Sequence, residues 1–384
     1  MTNPLRILFL VSRAGSDPRA AGGDVQGSLY ARLLAQSGHE VTYLTSSYPG
    51  SAERSIEDGV EVVRLGRPEL LAARMWQYYR RWGDSYDLVY AEAFGGARVP
   101  FCAPLYVKQP LLAAWYQVNT PVFRHQYGRL AGSGLSGLER RIAKMHRRAT
   151  LVTPSEARRA DLVAFGFLPE QVEVVPPFAL GATGEANPLA HREPVIVWLG
   201  KLRRYKCIHH VVQAMPGVLA VRPDARLVVA GRRDDAGYER ELREQVQRLG
   251  LTGAVSFSLD LTEDAKQALL RSARVITLPS PVEGFGIVLL EAAAQGTPAV
   301  VSEGVPEEVI REGYNGLRVP FGDARALAGA LSRTLTSDGL HEVLAEGALE
   351  NASRYTVDAL IARLNEVVQR ALAARAPELV AAMG

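Results

Sequence analysis

The chain has 384 residues, of which 47% are hydrophobic and 22% are charged. This is the composition of a packed globular protein and excludes a mainly disordered chain. At about 150 residues per domain, the length predicts two domains. The formal net charge of +3 is too small for a typical binder of duplex DNA. Two cysteines, Cys102 and Cys207, are too few for a disulfide framework and lack the spacing of a zinc site.

The location of the protein is predicted from its apolar and basic segments. No apolar run reaches the roughly 20 residues that cross a bilayer, and residues 1–4 lack the basic region of a signal peptide. We therefore expect a cytoplasmic protein. The stretch 138–148 carries five Lys and Arg residues on a predicted helix. It is either a solvated face or a peripheral contact with anionic lipid headgroups at the inner face of the membrane.

The first half of the chain alternates strands and helices. Residues 5–12 form a continuous apolar run, which is typical of a strand buried on both faces of a parallel sheet. Asp24 is expected to cap a helix over residues 25–37, and Gly38 ends it. Helices are also predicted at 69–82 and up to about Arg148. Further strands are predicted at 41–45, 60–65, 88–91, 150–154 and 172–175.

A second alternating series follows a linker rich in proline and glycine, within residues 176–194. Its predicted strands are 195–200, 226–231, 255–259, 275–279, 299–302 and 317–320. Two such series predict two doubly wound α/β domains that face each other across a cleft. We expect a first domain over 1–178, a linker over 179–194 and a second domain over 195–355. The last helix, 356–384, is expected to pack back on the first domain. Ligands of such sheets bind at the carboxyl ends of the strands.

One loop of this kind, residues 279–298, combines acidic side chains with a glycine turn. Glu283 and Glu291 are separated by seven residues, and Gly284-Phe285-Gly286 follows the first. A helix that begins near Gly286 would place Glu291 in its second turn. Its first amides lack acceptors within the helix and could bind a phosphate, while the carboxylates bind sugar hydroxyls. The E-x7-E spacing alone would also fit an ordinary strand, turn and capped helix.

The wider context of this loop resembles the retaining glycosyltransferases of family four, which have the GT-B fold. The resemblance also includes EVIREGYNGL at 308–317 and VIVWLGKL at 195–202. It implies that Glu283 contacts the transferred sugar and that Glu291 binds the ribose of a sugar nucleotide. The amides expected near the sugar and the diphosphate are those of Gly284, Phe285, Gly286, Ile287 and Val288.

Basic residues after the strand 195–200 complete the expected donor site. The family usually has Gly-Arg-Leu and then Lys-Gly, where this chain has Lys201 and then Lys206-Cys207. Two cations could hold the diphosphate and neutralise the charge that grows as it leaves, so Lys201 and Lys206 join Glu283 as the expected catalytic residues. A lysine in the arginine position lacks bidentate geometry, for which Arg203 or Arg204 could compensate.

Two further segments are expected to contact the donor. Gly22-Gly23 lies before the first helix, and the resemblance implies that its amides face the donor phosphates. Leu259 ends a predicted strand and Asp260 follows it, and both are expected to flank the base. The Gly-Gly turn does not have the G-x-G-x-x-G spacing, which disfavours a dehydrogenase.

The acceptor side departs from the family pattern. Relatives often carry a histidine where this chain has Tyr116, and a neutral tyrosine with a reference pKa of about 10 is a poor base. Gln117 and His125 are the other acceptor-side candidates. The resemblance offers a retaining route in which the leaving phosphate oxygen takes the proton of the acceptor.

No metal or cofactor is expected. D-x-D does not occur in the sequence, and Asp234-Asp235 is predicted to be a polar turn before a helix. The adjacent His209 and His210 are expected on different faces of a helix rather than as a ligand pair.

Together these patterns predict a retaining, metal-independent glycosyltransferase. It would move a hexose from a sugar nucleotide, linked to UDP or GDP rather than ADP, to a hydroxyl of a glycan, a lipid-linked glycan or a small molecule. The alternatives are a sugar-nucleotide epimerase of the same fold and a non-catalytic subunit that binds a sugar nucleotide. An epimerase would need acid–base carboxylates or a histidine at the sugar, and Glu283 alone is insufficient for that role. No nucleic-acid partner is expected.

Overall fold

A computed structural model describes residues 3–20, 22–93, 101–178 and 188–382. The chain divides into two compact units, one of residues 1–119, 134–176 and 357–384, and one of residues 120–133 and 177–356. The observed division near residue 176 lies close to the predicted boundary at 178. The segment 120–133, which the sequence assigned to the first domain, clusters with the second unit. Residues 179–187 of the predicted linker lie outside the described residues.

The described residues form strands and helices that alternate through most of the chain. The strands are β1 (Arg6–Leu10), β2 (Glu40–Thr45), β3 (Arg54–Glu57), β4 (Val60–Arg64), β5 (Leu88–Glu92), β6 (Leu111–Ala114), β7 (Thr150–Thr153), β8 (Val172–Val174), β9 (Glu193–Lys201), β10 (Arg226–Arg232), β11 (Val255–Leu259), β12 (Ala273–Leu278), β13 (Ala299–Ser302) and β14 (Gly316–Val319). The helices are α1 (Gly22–Gln36), α2 (Leu71–Trp82), α3 (Thr120–Met145), α4 (Glu156–Ala164), α5 (Ile208–Val221), α6 (Ala236–Arg248), α7 (Glu263–Ser272), α8 (Ile287–Ala294), α9 (Ala324–Thr336), α10 (Asp338–Ala352) and α11 (Val357–Ala382).

The first unit is built on an eight-stranded sheet of order β3-β4-β2-β1-β5-β6-β7-β8. Neighbouring strands are parallel except for β3 and β4, which are antiparallel. Strand β5 is buried along its whole length, and β1 is buried from Ile7 onward. The order of the strands reverses between β1 and β5, so their carboxyl ends form the usual ligand-binding edge of such a sheet.

Three details of the first unit differ from the sequence predictions. Strands β3 and β6 were not predicted, because β3 is half exposed at the sheet edge and the two leucines and two alanines of β6 fit a helix as well as a strand. Helix α1 begins at Gly22 rather than at Val25. The Gly22-Gly23 pair and Asp24 therefore form the first turn of the helix instead of a loop and a cap. Gly38, with a φ of 93°, follows its end as predicted.

The second unit is built on a six-stranded parallel sheet of order β11-β10-β9-β12-β13-β14. This is the strand order of a Rossmann fold, with its reversal point between β9 and β12. The six predicted strands are observed with ends shifted by at most two residues. They were predictable because buried parallel strands are nearly continuous apolar runs.

The last helix, α11, belongs to the first unit. Arg363 and Arg370 both contact the carboxylate of Glu173, at 2.6 and 3.3 Å. The side chain of Asn365 lies 3.3 Å from His39. These contacts attach α11 to β8 and to the segment before β2. None of the described helices is long and apolar enough to cross a membrane.

Candidate active site

The reversal point of the second sheet brings a lysine and a glutamate together. Lys206 follows β9, Glu283 follows β12, and the Lys206 Nζ atom lies 2.7 Å from both carboxylate oxygens of Glu283. The two side chains are 18% and 8% exposed. Burial alone would lower the pKa of Lys206, but the Glu283 carboxylate raises it above its usual value. Two predicted site residues thus form a buried ion pair.

The loop that carries Glu283 is fixed by the residues after β13. The Glu283 amide donates to the Gly304 carbonyl over 3.0 Å, and the Ser302 hydroxyl donates to the Ser280 carbonyl. A Cβ atom on Gly304 would lie 2.3 Å from the main chain of Pro281, which is far inside contact distance. Gly304 therefore positions Glu283. Sequence reasoning missed it, because the contact joins segments that only the sheet brings together.

The glycine turn after Glu283 leads into α8 as predicted. Gly286 has a φ of 93° and precedes the first helical residue, Ile287. Phe285 is buried and packs edge-on against Tyr355, with ring centroids 5.3 Å apart. Its side chain therefore anchors the turn in the core. The amides of Ile287 and Val288 are at the start of the helix, where no intrahelical acceptor is available.

Glu291 lies in the second turn of α8, as predicted, and pairs with a lysine that was not predicted. The Lys266 Nζ atom on α7 lies 3.0 Å from Oε2 of Glu291 and 2.8 Å from Glu263. Burial raises the pKa of Glu291, and Lys266 opposes that rise. The pKa of Lys266 is itself raised, because its two carboxylate partners outweigh burial. No spacing in the sequence links residues 266 and 291, so only the structure identifies this pair.

Lys201 is the last residue of β9 and lies opposite Arg232 of β10. In the preceding pair, Gly231 has a φ of 127°, and a Cβ atom on it would lie 1.8 Å from the Gly200 carbonyl oxygen. This close approach of two backbones brings the basic ends of both strands to one edge of the sheet.

The two arginines that were expected to compensate for Lys201 each form an ion pair with an acidic side chain. Arg203 pairs with Asp234, and Arg204 pairs with Glu241. Asp235 accepts a hydrogen bond from the Tyr238 amide and caps α6, in line with the polar turn predicted there. Leu259 ends β11, and the exposed Asp260, with a φ of 59°, lies 3.6 Å from Arg233.

Two of the three acceptor-side candidates, Tyr116 and Gln117, have side chains that the structure describes. The Tyr116 hydroxyl donates to the Gly23 carbonyl over 3.1 Å, and its ring lies 2.9 Å from the position of a Cβ on Gly23. Burial raises the pKa of Tyr116 well above its usual value, so the residue stays protonated at neutral pH. Gln117 donates to the Asn119 side chain over 3.3 Å. His125 falls within α3, and its side chain lies outside the described residues.

A buried carboxyl group lies at the reversal point of the first sheet. Oε2 of Glu92, at the end of β5, accepts hydrogen bonds from the amide and the hydroxyl of Ser12. Asp24 is also buried, with Arg13 at 3.9 Å. Burial and the charge of Asp24 raise the pKa of Glu92 to about 7, against the effect of Ser12. Glu92 was not predicted as a site residue, because it ends a strand whose other residues are apolar.

The raised pKa of Glu92 predicts how stability depends on pH. The folded state holds the proton more tightly than the unfolded state, so this contribution to stability is complete below about pH 4.5 and is lost by about pH 7.5. The loss is expected to be about 3 kcal/mol. Glu92→Gln should remove it, because the amide oxygen can still accept from Ser12. Urea unfolding of both proteins across this range measures the difference, with the surface substitution Glu40→Gln as control. Parallel curves for wild type and Glu92→Gln would contradict the assignment.

Comparison with known families decides the identity of the chain. Residues 22–177 match the family model described as glycosyl transferase 4-like domain, and residues 183–351 match the one described as glycosyl transferases group 1. The chain belongs to the group 1 glycosyltransferases. The predicted resemblance to glycosyltransferases is thereby confirmed, and the retaining mechanism of family four stays a prediction.

Several glycosyltransferases are similar in sequence. A D-inositol 3-phosphate glycosyltransferase of Salinispora arenicola is 31% identical over 63% of this chain and 58% of the relative. The enzyme of the same name from Corynebacterium urealyticum is 35% identical over 42% of this chain and 39% of its own length. An uncharacterized glycosyltransferase of Methanocaldococcus jannaschii is 28% identical over 89% of this chain and 92% of its own.

Solved structures share the fold of this chain. Sucrose-phosphate synthase from Thermosynechococcus elongatus superposes with a TM-score of 0.80 at 21% identity, over 96% of this chain and all of that one. Anabaena Alr3699/HepE, in complex with UDP-glucose, gives 0.75 at 18% identity, over 95% of this chain and all of that one. The predicted GT-B fold is confirmed.

Proposed function

We propose that the protein is a retaining, metal-independent glycosyltransferase that moves a hexose from a nucleotide-diphosphate sugar to a hydroxyl group. The acceptor would be a glycan, a lipid-linked glycan or a small molecule. The observation that supports this most is the arrangement at the reversal point of the second sheet. There the Lys206–Glu283 pair precedes a glycine turn and the start of α8, whose second turn carries Glu291.

Each group of this arrangement has a role toward the donor. An ammonium group has three N–H donors, and Lys206 directs its Nζ atom at the two oxygens of Glu283. A third donor could therefore bind a phosphate oxygen without breaking the pair. Lys201 would add a second positive charge, and the amides of Ile287 and Val288 would bind the diphosphate at the helix start. Glu291, which Lys266 contacts at 3.0 Å, would accept hydrogen bonds from the ribose hydroxyls.

The transfer step follows from these charges. The bond between the sugar C1 and the diphosphate oxygen breaks while the acceptor oxygen bonds to C1 on the same face. The acceptor proton moves to the departing phosphate oxygen, so no protein base is required. This agrees with the protonated Tyr116 on the acceptor side. Lysine ammonium groups and helix amides would stabilise the leaving diphosphate, which is the charge that a metal ion neutralises in other transferases.

A thermal-shift panel with UDP-, GDP- and ADP-sugars tests the donor class. A ligand at 100 times its dissociation constant stabilises the folded protein by about 2.7 kcal/mol. The similar Anabaena structure contains UDP-glucose, so a UDP-sugar is the first candidate and a GDP-sugar the second. Product analysis with and without acceptors completes the test. Epimerised donor without an acceptor would identify an epimerase, and stabilisation without any turnover would identify a binding subunit.

Glu291→Ala is expected to raise the KM for the donor by about 10- to 150-fold, which corresponds to the loss of a charged hydrogen bond of about 1.5–3 kcal/mol. The fold should tolerate the change, because Lys266 keeps its 2.8 Å contact with Glu263. Steady-state kinetics at varied donor concentration measure the effect. Glu263→Ala is the matched control, since it removes the other partner of Lys266 and should leave the donor KM nearly unchanged. Equal donor KM values for Glu291→Ala and wild type would contradict the ribose assignment.

We also propose a peripheral contact of the first unit with anionic membranes. Arg140, Lys144 and Arg147 line a cavity of about 140 Å³ together with Phe165 and Phe167. The cations could bind the phosphate of a lipid headgroup, while the apolar rings contact its acyl region. Sedimentation with vesicles that contain anionic lipid should deplete the protein from solution. Arg140→Ala with Lys144→Ala should reduce the bound fraction at least about threefold, because each cation contributes about 1 kcal/mol. Binding that is independent of anionic lipid or of these residues would remove the proposal.

A further inference from the structure

Three side chains capable of binding a metal converge next to Lys206. Cys207, His209 and His210 each offer one ligand atom, and these atoms lie within 4.8 Å of one another. The sequence predicted the two histidines on different helix faces and not as a ligand pair. Their ring centroids are 4.3 Å apart, because both residues lie in the first turn of α5, where side chains lean toward the helix start.

Cys207 has a backbone conformation that favours glycine. Its φ is 53°, in the left-handed region that glycine adopts without strain and that is unfavourable for residues with a side chain. The chain therefore places a thiol here at the expense of backbone strain. The side chain is 3% exposed and directed to the same turn as the two imidazoles.

Neighbouring groups fix the histidine rings and leave space beside them. His209 Nδ1 lies 2.8 Å from the Tyr238 hydroxyl, and the His210 ring lies 5.5 Å from that of Phe321. Metal-binding imidazoles are usually oriented by such an outer contact. The three residues line a cavity of about 320 Å³, together with Arg204, Phe321 and Gly322. The charge of Arg204 is compensated by Glu241, which reduces its repulsion of a cation.

We propose that Cys207, His209 and His210 bind a transition-metal ion of the Zn²⁺ class, with a fourth position open to water. This goes beyond the proposed transfer reaction, which uses no metal. One thiolate and two imidazoles match the ligands and number of an open zinc site and exclude Mg²⁺ and Ca²⁺, which prefer oxygen ligands. Binding would release the thiol proton to solvent, since the thiolate is the ligand. The left-handed turn at Cys207 brings its thiol close to the two imidazoles, and the three residues lie within positions 207–210 of the sequence.

Cobalt titration of the tag-free, full-length protein tests the site without any transferase assay. We expect one equivalent of Co²⁺ to produce a thiolate-to-cobalt charge-transfer band that Zn²⁺ displaces. Cys207→Gly should abolish the band and keep the fold, because glycine relieves the left-handed strain at φ 53°. His210→Asn should weaken binding by about 100-fold or more, at least as much as the loss of an outer-shell partner.

Two matched controls separate this site from adventitious binding. Cys102 also has a left-handed backbone, with a φ of 50°, so Cys102→Gly repeats the same chemical change elsewhere. His191→Asn removes an exposed histidine outside the cluster. Both controls should keep wild-type binding. The proposal is overturned if wild type binds no stoichiometric Co²⁺ or Zn²⁺, or if Cys207→Gly retains the charge-transfer band.

Discussion

Lys206→Ala is expected to lower the free energy of unfolding by about 3–5 kcal/mol and to remove most of the transfer activity. The change leaves Glu283, whose side chain is only 8% exposed, without the ammonium group 2.7 Å away. Breaking a buried pair from one side has this cost because the other charge stays desolvated and unpaired. Activity falls for a separate reason, since the diphosphate loses a cation that stabilises its departure. Urea unfolding and turnover at saturating donor measure the two effects.

A double substitution separates the two causes. In Lys206→Ala combined with Glu283→Gln, the buried group is neutral, so most of the lost stability should return while activity stays low. Arg226→Ala is the matched control, because it breaks an exposed pair with Glu193 and should cost less than about 1 kcal/mol. If Lys206→Ala unfolds like wild type, the ion pair does not form in solution. If its turnover is also unchanged, Lys206 has no role in transfer.

The second unit was predictable because its signals are local. Each strand is a short apolar run, and the order of strands and helices along the chain is that of a Rossmann fold. The placement of Glu283 before the glycine turn and of Glu291 in the following helix was also predictable, since one turn and one helix determine it. Lys266 and Gly304 were not predictable. Lys266 approaches Glu291 from helix α7, and Gly304 approaches Glu283 from the loop after β13. Both contacts depend on how the elements pack together and not on a spacing in the sequence.

The first unit was harder to predict, because its signals are ambiguous in composition or depend on contacts between distant segments. The short strand β6 has two leucines and two alanines, which do not distinguish a strand from a helix. Glu92 ends an apolar strand. Its hydrogen bond from Ser12 and the effect of Asp24 on its pKa join segments that are distant in the sequence. The glycines 22 and 23 were expected in a loop, because glycine is a poor helix former. The position of Tyr116 explains why residue 23 is glycine, since the tyrosine ring fills the space that a Cβ atom would need.

Gly304→Ala is expected to reduce kcat/KM by about 100-fold, although residue 304 carries no functional group. A methyl group there would lie 2.3 Å from the carbonyl of Pro281, so the loop from Ser280 to Glu283 must move. A displacement of about 1 Å at a catalytic group can cost that much in rate. The Lys206–Glu283 contact should lengthen with it. The free energy of unfolding should fall by only about 1–3 kcal/mol, as for other overpacked sites.

The discriminating result is a loss of activity larger than the loss of stability explains. At a temperature where Gly304→Ala remains folded by circular dichroism, kcat/KM should stay low while the protein is intact. Gly253→Ala is the matched control, because a Cβ atom there meets nothing within 4 Å, and it should behave like wild type in both measurements. A folded Gly304→Ala protein with wild-type kcat/KM would show that the Pro281 loop can move without affecting transfer. Glu283 would then not be the group that orients the sugar, since its amide depends on the Gly304 carbonyl.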